Sequence, residues 1–275
     1  MSIVEAIVLG IVQGLTEFLP ISSTAHLRIV PAVLGWDDPG AAFTAVTQLG
    51  TMVAVLAYFR HDLLRIASAW VGSLPRRPKR ADVDARVGWY IILGTIPIAV
   101  FGLAFENSIE TSARSLYLIS GTLILFGLVM AWSEKVAPRT RSLEAITLRD
   151  GIVLGVAQAL ALVPGVSRSG ATISAGLVLG FDRGSAARFS FLLSVPAVVL
   201  SGCFQLGSIL GGEEATNATG LVPLTVATVL ALVSGYVSIA FLLRFLASHS
   251  VGAFVAYRLV VGGLVLVLAS SGVIR

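Results

Sequence analysis

Between Leu221 and Leu243 the chain carries no charged side chain, and five further stretches, 42–59, 87–105, 115–133, 189–206 and 251–272, are almost as apolar. Hydrocarbon offers the backbone no hydrogen-bonding partner, so a segment that crosses it must satisfy its own N–H and C=O groups as an α-helix. About 20 apolar residues are enough to span the ~30 Å core. With 275 residues of which 56% are hydrophobic and 12% charged, and a mean hydropathy of +0.92, the chain is too apolar for a soluble domain. It reads as an all-α polytopic membrane protein with six transmembrane helices. One membrane domain, residues 1–275, made of two halves at 1–133 and 150–275, is the economical division.

The charges report orientation rather than a partner. A net charge of +4 would suit nucleic acid, yet the basic residues concentrate in short loops, and no nucleic-acid partner is expected. Arg60, Arg65, Arg76, Arg77, Lys79, Arg80 and Arg86 mark one such loop; Lys135, Arg139, Arg141 and Arg149 mark another. The positive-inside rule makes both cytoplasmic. The loops at 106–114 and 207–220 then face outward, as do both termini. The single Cys203 rules out an intramolecular disulfide framework, and no Cys/His cluster has zinc spacing. The N-terminus lacks the basic region and cleavage site of a signal peptide, and Asn217–Ala218–Thr219 is too short a match to carry a glycosylation argument.

Two apolar segments are interrupted. Residues 3–19 give way at Pro20 to a run of hydroxyls and resume to about Leu34, and residues 151–180 do the same around Pro164. Each limb is too short for a full crossing, and a single crossing of 151–180 would carry Arg183 and Arg188 to the outer side. Both segments are therefore expected to be re-entrant helical hairpins, the first opening outward and the second inward. The interrupted stretches also echo one another: in QGLTEFLPISSTAH (13–26) and LGVAQALALVPGVSRSGAT (154–172), Gln13 answers to Gln158, Pro20 to Pro164 and Ser23 to Ser167. Gly121 and Gly262 take comparable places in later helices. Paired broken helices of opposite orientation point to an inverted-topology repeat whose hairpin tips meet near the midplane.

If the tips meet, Glu17, Ser22, Ser23, Thr24 and His26 share one cavity with Ser167, Arg168, Ser169 and Thr172. Gln13 and Glu17, four apart, project from one helix face. An ionisable residue in such a segment is a functional candidate, although a hydrogen-bonded turn accounts for the first run, and a snorkelling side chain for Arg168, in simpler terms. A guanidinium among hydroxyls and exposed amides suits phosphate or carboxylate. A serine hydroxyl or an imidazole can attack phosphorus, and a carboxylate or histidine can move the proton. Gln13 and Glu17 can also hold a divalent cation, Mg²⁺ or Ca²⁺, through oxygen. The alternative from another class is an inverted-repeat transporter, or a lipid-phosphate flippase, with the same anion site at Arg168 and no need of a nucleophile.

The runs QGLTEFLPISSTAH and PGVSRSGAT resemble, in content, order and separation, the two signature motifs of the bacterial undecaprenyl-diphosphate phosphatases, the bacitracin-resistance family. The segment RFSFLLSVPA at 188–197 extends the similarity to essentially the whole chain. The resemblance implies hydrolysis of undecaprenyl diphosphate to the monophosphate and phosphate with a divalent cation, recycling the lipid carrier of cell-wall synthesis and conferring bacitracin resistance. It implies a multi-pass protein of the bacterial cell (inner) membrane, its site open to the extracytoplasmic side. Its partners would be a polyprenyl diphosphate and membrane lipids, with a homodimer left open. Residue by residue, the family's acidic pair falls on Gln13 and Glu17, its hydroxyl–His segment on Ser22, Ser23, Thr24 and His26, and its phosphate-binding arginine on Arg168. Members often carry Glu where this chain has Gln13, which leaves Glu17 as the stronger base or metal ligand. The roles expected on this ground are Ser23 as nucleophile, Glu17 as its activator or metal ligand, and His26 as acid or alternative nucleophile. Gln13, Ser22, Thr24, Ser167, Ser169 and Thr172 are expected to bind substrate.

Overall fold

The computed structural model describes residues 1–74, 82–105, 115–210 and 220–274, with the side chains of Ala41 and 203–210 left out. Eleven α-helices lie among them: α1 (Ile3–Phe18), α2 (Ser23–Leu34), α3 (Gly40–Tyr58), α4 (Arg60–Ser73), α5 (Val83–Ala104), α6 (Leu116–Val136), α7 (Leu148–Ala159), α8 (Arg168–Val178), α9 (Arg183–Leu210), α10 (Leu221–Ser248) and α11 (Gly252–Ser270). Five of these, α5, α6, α9, α10 and α11, are long and apolar enough to cross a membrane, and the count rises to six if the bent pair α3–α4 is taken as one span. Their outer faces carry large exposed apolar side chains such as Leu103, Val222 and Val267, the surface expected where lipid is the solvent. The expected loops at 106–114 and 207–220 fall mostly outside the described residues, as does 75–81 of the basic loop.

One expectation changes. The basic loop after α3 begins as a helix, α4, bent by 74° from α3. Leu63, Ile66 and Trp70 recur at helical spacing; Ile66 is buried and the Trp70 ring meets Trp89 edge to face at 5.8 Å. Arg65 instead pairs with Asp62 and Asp84. An amphipathic stripe of this kind folds against the bundle rather than staying open.

Both interrupted segments are helical hairpins, α1–α2 and α7–α8. Their limbs of 16, 12, 12 and 11 residues each fall short of the roughly 20 needed to span the core. Each hairpin opens with the same device. Ser2 and Glu5 form a capping box on α1, and Thr147 and Asp150 form one on α7, satisfying otherwise orphaned amides. Asp150 is further gripped by Arg141 at 2.5 and 3.1 Å. Burial works against its charged form, but the hydrogen bonds from Arg141 and Thr147 prevail and hold its carboxyl below the ordinary range.

The packing is reciprocal. Helix α1 lies on α10, where Gly10 meets the Ala227 backbone, and α7 lies on α5, where Gly155 meets the Gly94 backbone. A Cβ at either glycine would overlap main-chain atoms, so these contacts require glycine. Likewise α3 packs on α10 and α9 on α5. Each hairpin is thus seated on a span from the other part of the chain, and its tip is directed to the shared interior.

Candidate active site

The helix α1 ends at Phe18 because Pro20, two residues on, cannot continue it. Leu19 turns extended, and Ser22 adopts φ 75° as the N-cap of α2. The second hairpin repeats this. After the 3₁₀ turn Leu160–Leu162, Gly165 takes φ 88° and Ser167 takes φ 69° as the N-cap of α8. A non-glycine residue held at positive φ costs of order 1–3 kcal/mol and clusters at functional sites. Here the strain aims the next residue, Ser23 in one tip and Arg168 in the other, from the first turn of a helix. The backbone therefore pairs Ser22 with Ser167, one residue out of step with the sequence match of Ser23 to Ser167. The second hairpin is one residue shorter before its proline and regains that residue at Gly165, so the registers coincide again at the caps.

Glu17 joins the two tips. Its Oε1 accepts a hydrogen bond and ion pair from the Arg168 guanidinium. Its Oε2 accepts the Ser23 hydroxyl at 2.6 Å and the Gln13 amide at 3.2 Å. The side chain is only 7% exposed, so these three partners stand in for water. Ser169 adds a second link by donating to the Leu19 carbonyl at 3.1 Å. Ser22 and Thr24 share a hydroxyl contact at 3.1 Å, and Ser167 and Ser169 one at 3.2 Å. Beside the cluster lies a cavity of about 10 Å³, room for a single water, lined by Glu17, Phe18, Arg168, Ser169, Ser190, Phe191 and Ser194. Phe18 and Phe191 supply its apolar lining, their ring centroids 5.6 Å apart, and Phe59 packs on Phe191 at 6.1 Å.

Of the sequence-predicted residues, Gln13, Glu17, Ser23 and Arg168 form one hydrogen-bonded cluster, with Ser22, Ser167 and Ser169 in the turns that hold it. Thr172 points away, donating to the Arg168 carbonyl at 2.7 Å and meeting the Ser190 hydroxyl on α9. His26 is committed elsewhere. Its Nδ1 lies 2.7 Å from the Ser22 carbonyl, which can only accept, so Nδ1 carries the proton. Its Nε2 then accepts from the Tyr257 hydroxyl at 2.7 Å.

The residues that sequence reasoning missed are on other helices: Ser190 and Ser194 on α9, Thr122 on α6, which donates to the Pro164 carbonyl at 2.6 Å, and Tyr257 and Arg258 on α11. Arg258 carried a signal. It is the one charged residue in an otherwise apolar span, and such a residue marks a site by default.

A carboxylate shared by a hydroxyl and a guanidinium, at the junction of two broken helices in a lipid-facing bundle, defines a polytopic membrane protein with a buried charged cluster at its centre. The sequence matches the family described as bacitracin resistance protein BacA over residues 6–264, and the chain belongs to that family. It is 55% identical to a Mycobacterium sp. (strain KMS) protein named undecaprenyl-diphosphatase, over 100% of this chain and 99% of that one. Proteins of the same name from Chloroherpeton thalassium and a Nocardioides species are 53% and 52% identical, over 99% and 98% of this chain and 98% and 97% of theirs. The carrier alternative finds no support among these relatives.

Proposed function

We propose that this chain is an integral membrane phosphatase that hydrolyses undecaprenyl diphosphate to undecaprenyl phosphate and inorganic phosphate, returning the lipid carrier to cell-wall synthesis and thereby conferring bacitracin resistance. One observation carries the reading: Glu17 simultaneously accepts the Ser23 hydroxyl from one hairpin and the Arg168 guanidinium from the other. That is a nucleophile, its base and an anion clamp in one cluster.

The cavity holds about one water, so a diphosphate enters only if the Glu17–Arg168 contact parts. Arg168 exchanges the carboxylate for the terminal phosphate oxygens, which its fork matches. Glu17, released, accepts the Ser23 proton as Oγ attacks the terminal phosphorus and undecaprenyl phosphate departs. Glu17 gives that proton to the departing undecaprenyl phosphate oxygen and, ionised again, takes a proton from the water that attacks the phosphoserine, returning it to Ser23 Oγ as phosphate leaves. His26, hydrogen-bonded at both nitrogens, holds the Ser22 turn. Ser22 and Ser167 cap the helices that carry Ser23 and Arg168, Thr24 meets the Ser22 hydroxyl, and Ser169 ties the second tip to Leu19 beside the headgroup cavity.

Among the described residues no group of three His, Cys, Asp or Glu side chains converges on one point. The buried Gln13 Oε1 has no partner among the described residues, and beside Glu17 it is an unused oxygen donor. A Mg²⁺ or Ca²⁺ brought with the diphosphate would be held by Glu17 and Gln13, because such ions commonly use one or two protein oxygens with the substrate supplying the rest. When bound it would neutralise phosphate charge.

The reciprocal seating of the hairpins supports two halves, 1–133 and 150–275, and the basic residues clustered at 60–86 and 135–149 support, through the positive-inside rule, a first hairpin that opens to the extracytoplasmic side of the bacterial cell membrane. The test is phosphate release from undecaprenyl diphosphate by the purified chain in detergent, with and without EDTA. Release abolished by Ser23→Ala supports the reading. Release by Ser23→Ala at the wild-type rate removes the serine as nucleophile, and none from the wild-type chain with Mg²⁺ or Ca²⁺ removes the function.

A further inference from the structure

Arg258 is the largest wholly buried side chain, 0% exposed on α11, and among the described residues it meets no carboxylate. Its guanidinium spends its donors on backbone carbonyls. Nε donates to Leu123 at 3.3 Å, Nη1 to Pro20 at 3.2 Å, and Nη2 to Thr122 at 3.3 Å and Gly165 at 2.8 Å. Pro20 is in the turn of the first hairpin, Gly165 in the turn of the second. A single planar group therefore bridges both tips and ties them to α6.

The preceding residue acts on the same turn. Tyr257 donates to His26 Nε2, and His26 Nδ1–H donates to the Ser22 carbonyl, the residue at φ 75°. The Pro20–Ser22 turn is thus held at its start by Arg258 and at its end, through His26, by Tyr257. The physical need is plain. Irregular backbone deep in a membrane protein leaves carbonyls with no helical partner, each costly unless a donor is supplied. Thr122 and Ser169 supply two donors, and Arg258 supplies one more to each tip.

We infer that Tyr257 and Arg258 form a clamp that sets the register of the two hairpin tips, and so the placement of Ser23 against Arg168. They are positioning residues for the hydrolysis proposed above, on which the kinetic part of this inference rests. The role depends on shape more than charge. Guanidinium spans four carbonyls in its fork, whereas an ammonium offers three donors from one point at the end of a different stem. Misplacing reacting groups by about 1 Å costs on the order of 10²-fold in rate without a matching loss of binding.

The experiment compares Arg258→Lys and Tyr257→Phe with the wild-type chain in detergent. It measures kcat and KM for undecaprenyl diphosphate, and the distance distribution between spin labels at Val33→Cys on α2 and Val178→Cys on α8 in a Cys203→Ser background. The clamp predicts that Arg258→Lys lowers kcat on the order of 10²-fold and changes KM less than about threefold. Tyr257→Phe, which keeps the ring, lowers kcat about three- to tenfold. The α2–α8 distance distribution broadens in both. A wild-type kcat in Arg258→Lys, or a loss confined to KM, overturns the clamp in favour of a charge effect or none. If Arg258→Lys does not fold, Tyr257→Phe decides alone, and an unchanged kcat with an unchanged distribution overturns the proposal. If the wild-type chain releases no phosphate, the assigned reaction fails while the distance measurement still decides whether the clamp exists.

Discussion

At the first tip Ser22 stands at φ 75° with its hydroxyl 3.1 Å from Thr24; at the second Ser167 stands at φ 69° with its hydroxyl 3.2 Å from Ser169. Beyond that shared backbone the tips diverge in what they project. The position after the strained serine is Ser23 in one and Arg168 in the other. One turn earlier, Glu17 of the first hairpin faces a place held in the second by Leu162, and His26 answers to Ala171. The same turn was used twice, once to present a carboxylate and a hydroxyl and once to present a guanidinium. Opposite charges attract across the junction, so Glu17 and Arg168 join the two hairpins.

The largest expected effect breaks the division directly. Exchanging the projecting groups, as Ser23→Ala on one side and Arg168→Lys on the other, should each lower kcat by about 10²–10⁴-fold in a phosphate-release assay. The Lys variant should be nearly as poor as Arg168→Ala, because charge without the fork does not grip two oxygens. Activity of Arg168→Lys within a few-fold of wild type would mean that charge alone suffices.

Stability gives the next. Arg168→Ala leaves Glu17 buried and uncompensated, a loss of up to about 3–5 kcal/mol for a fully buried pair. Adding Glu17→Gln to Arg168→Ala should restore much of the thermal stability in detergent while restoring no activity. Failure of the double variant to recover would show that the tips are held together by something other than this pair.

A smaller effect tests whether the two turns are the same device. At both Ser22 and Ser167, glycine should be milder than alanine, because glycine takes positive φ freely while alanine keeps the strain and gives up the capping hydroxyl, about 1 kcal/mol. Opposite orders at the two positions would separate the turns.

The repeat-matched glutamines sharpen the comparison further. Gln13 donates to Glu17, whereas both polar atoms of Gln158, 0% exposed, lack a partner among the described residues. Gln158→Leu should leave activity intact and unfolding temperature unchanged or higher, and Gln13→Leu should lower activity. Gln158→Leu destroying activity would give the second amide a role of its own.

The smallest effect concerns the hairpin bases, alike in their capping boxes but for Arg141. The lowered carboxyl of Asp150 stabilises the fold above the unfolded carboxylate value of ~3.9. That contribution fades as pH falls through the lower folded value. Asp150→Asn should flatten acid destabilisation below about pH 4, and an unchanged acid profile would assign it to other carboxylates.

The sequence by itself determined the helical membrane class, the two interrupted segments and the residues Gln13, Glu17, Ser23 and Arg168, because each is a local property: apolar run length, a proline in a helix, charge where charge is expensive. It also held a longer repeat than composition revealed, since Ser2–Glu5 and Thr147–Asp150 are matching caps at the same spacing as Gln13 and Gln158. Tertiary structure alone decided that α4 is a helix, that His26 faces Tyr257 rather than the carboxylate, and that Ser22 rather than Ser23 matches Ser167. It alone brought Arg258 to both tips, more than 90 residues from either turn. Those facts depend on which donor reaches which carbonyl in three dimensions. Backbone groups that water would satisfy in a loop must, inside this bundle, find partners from distant helices.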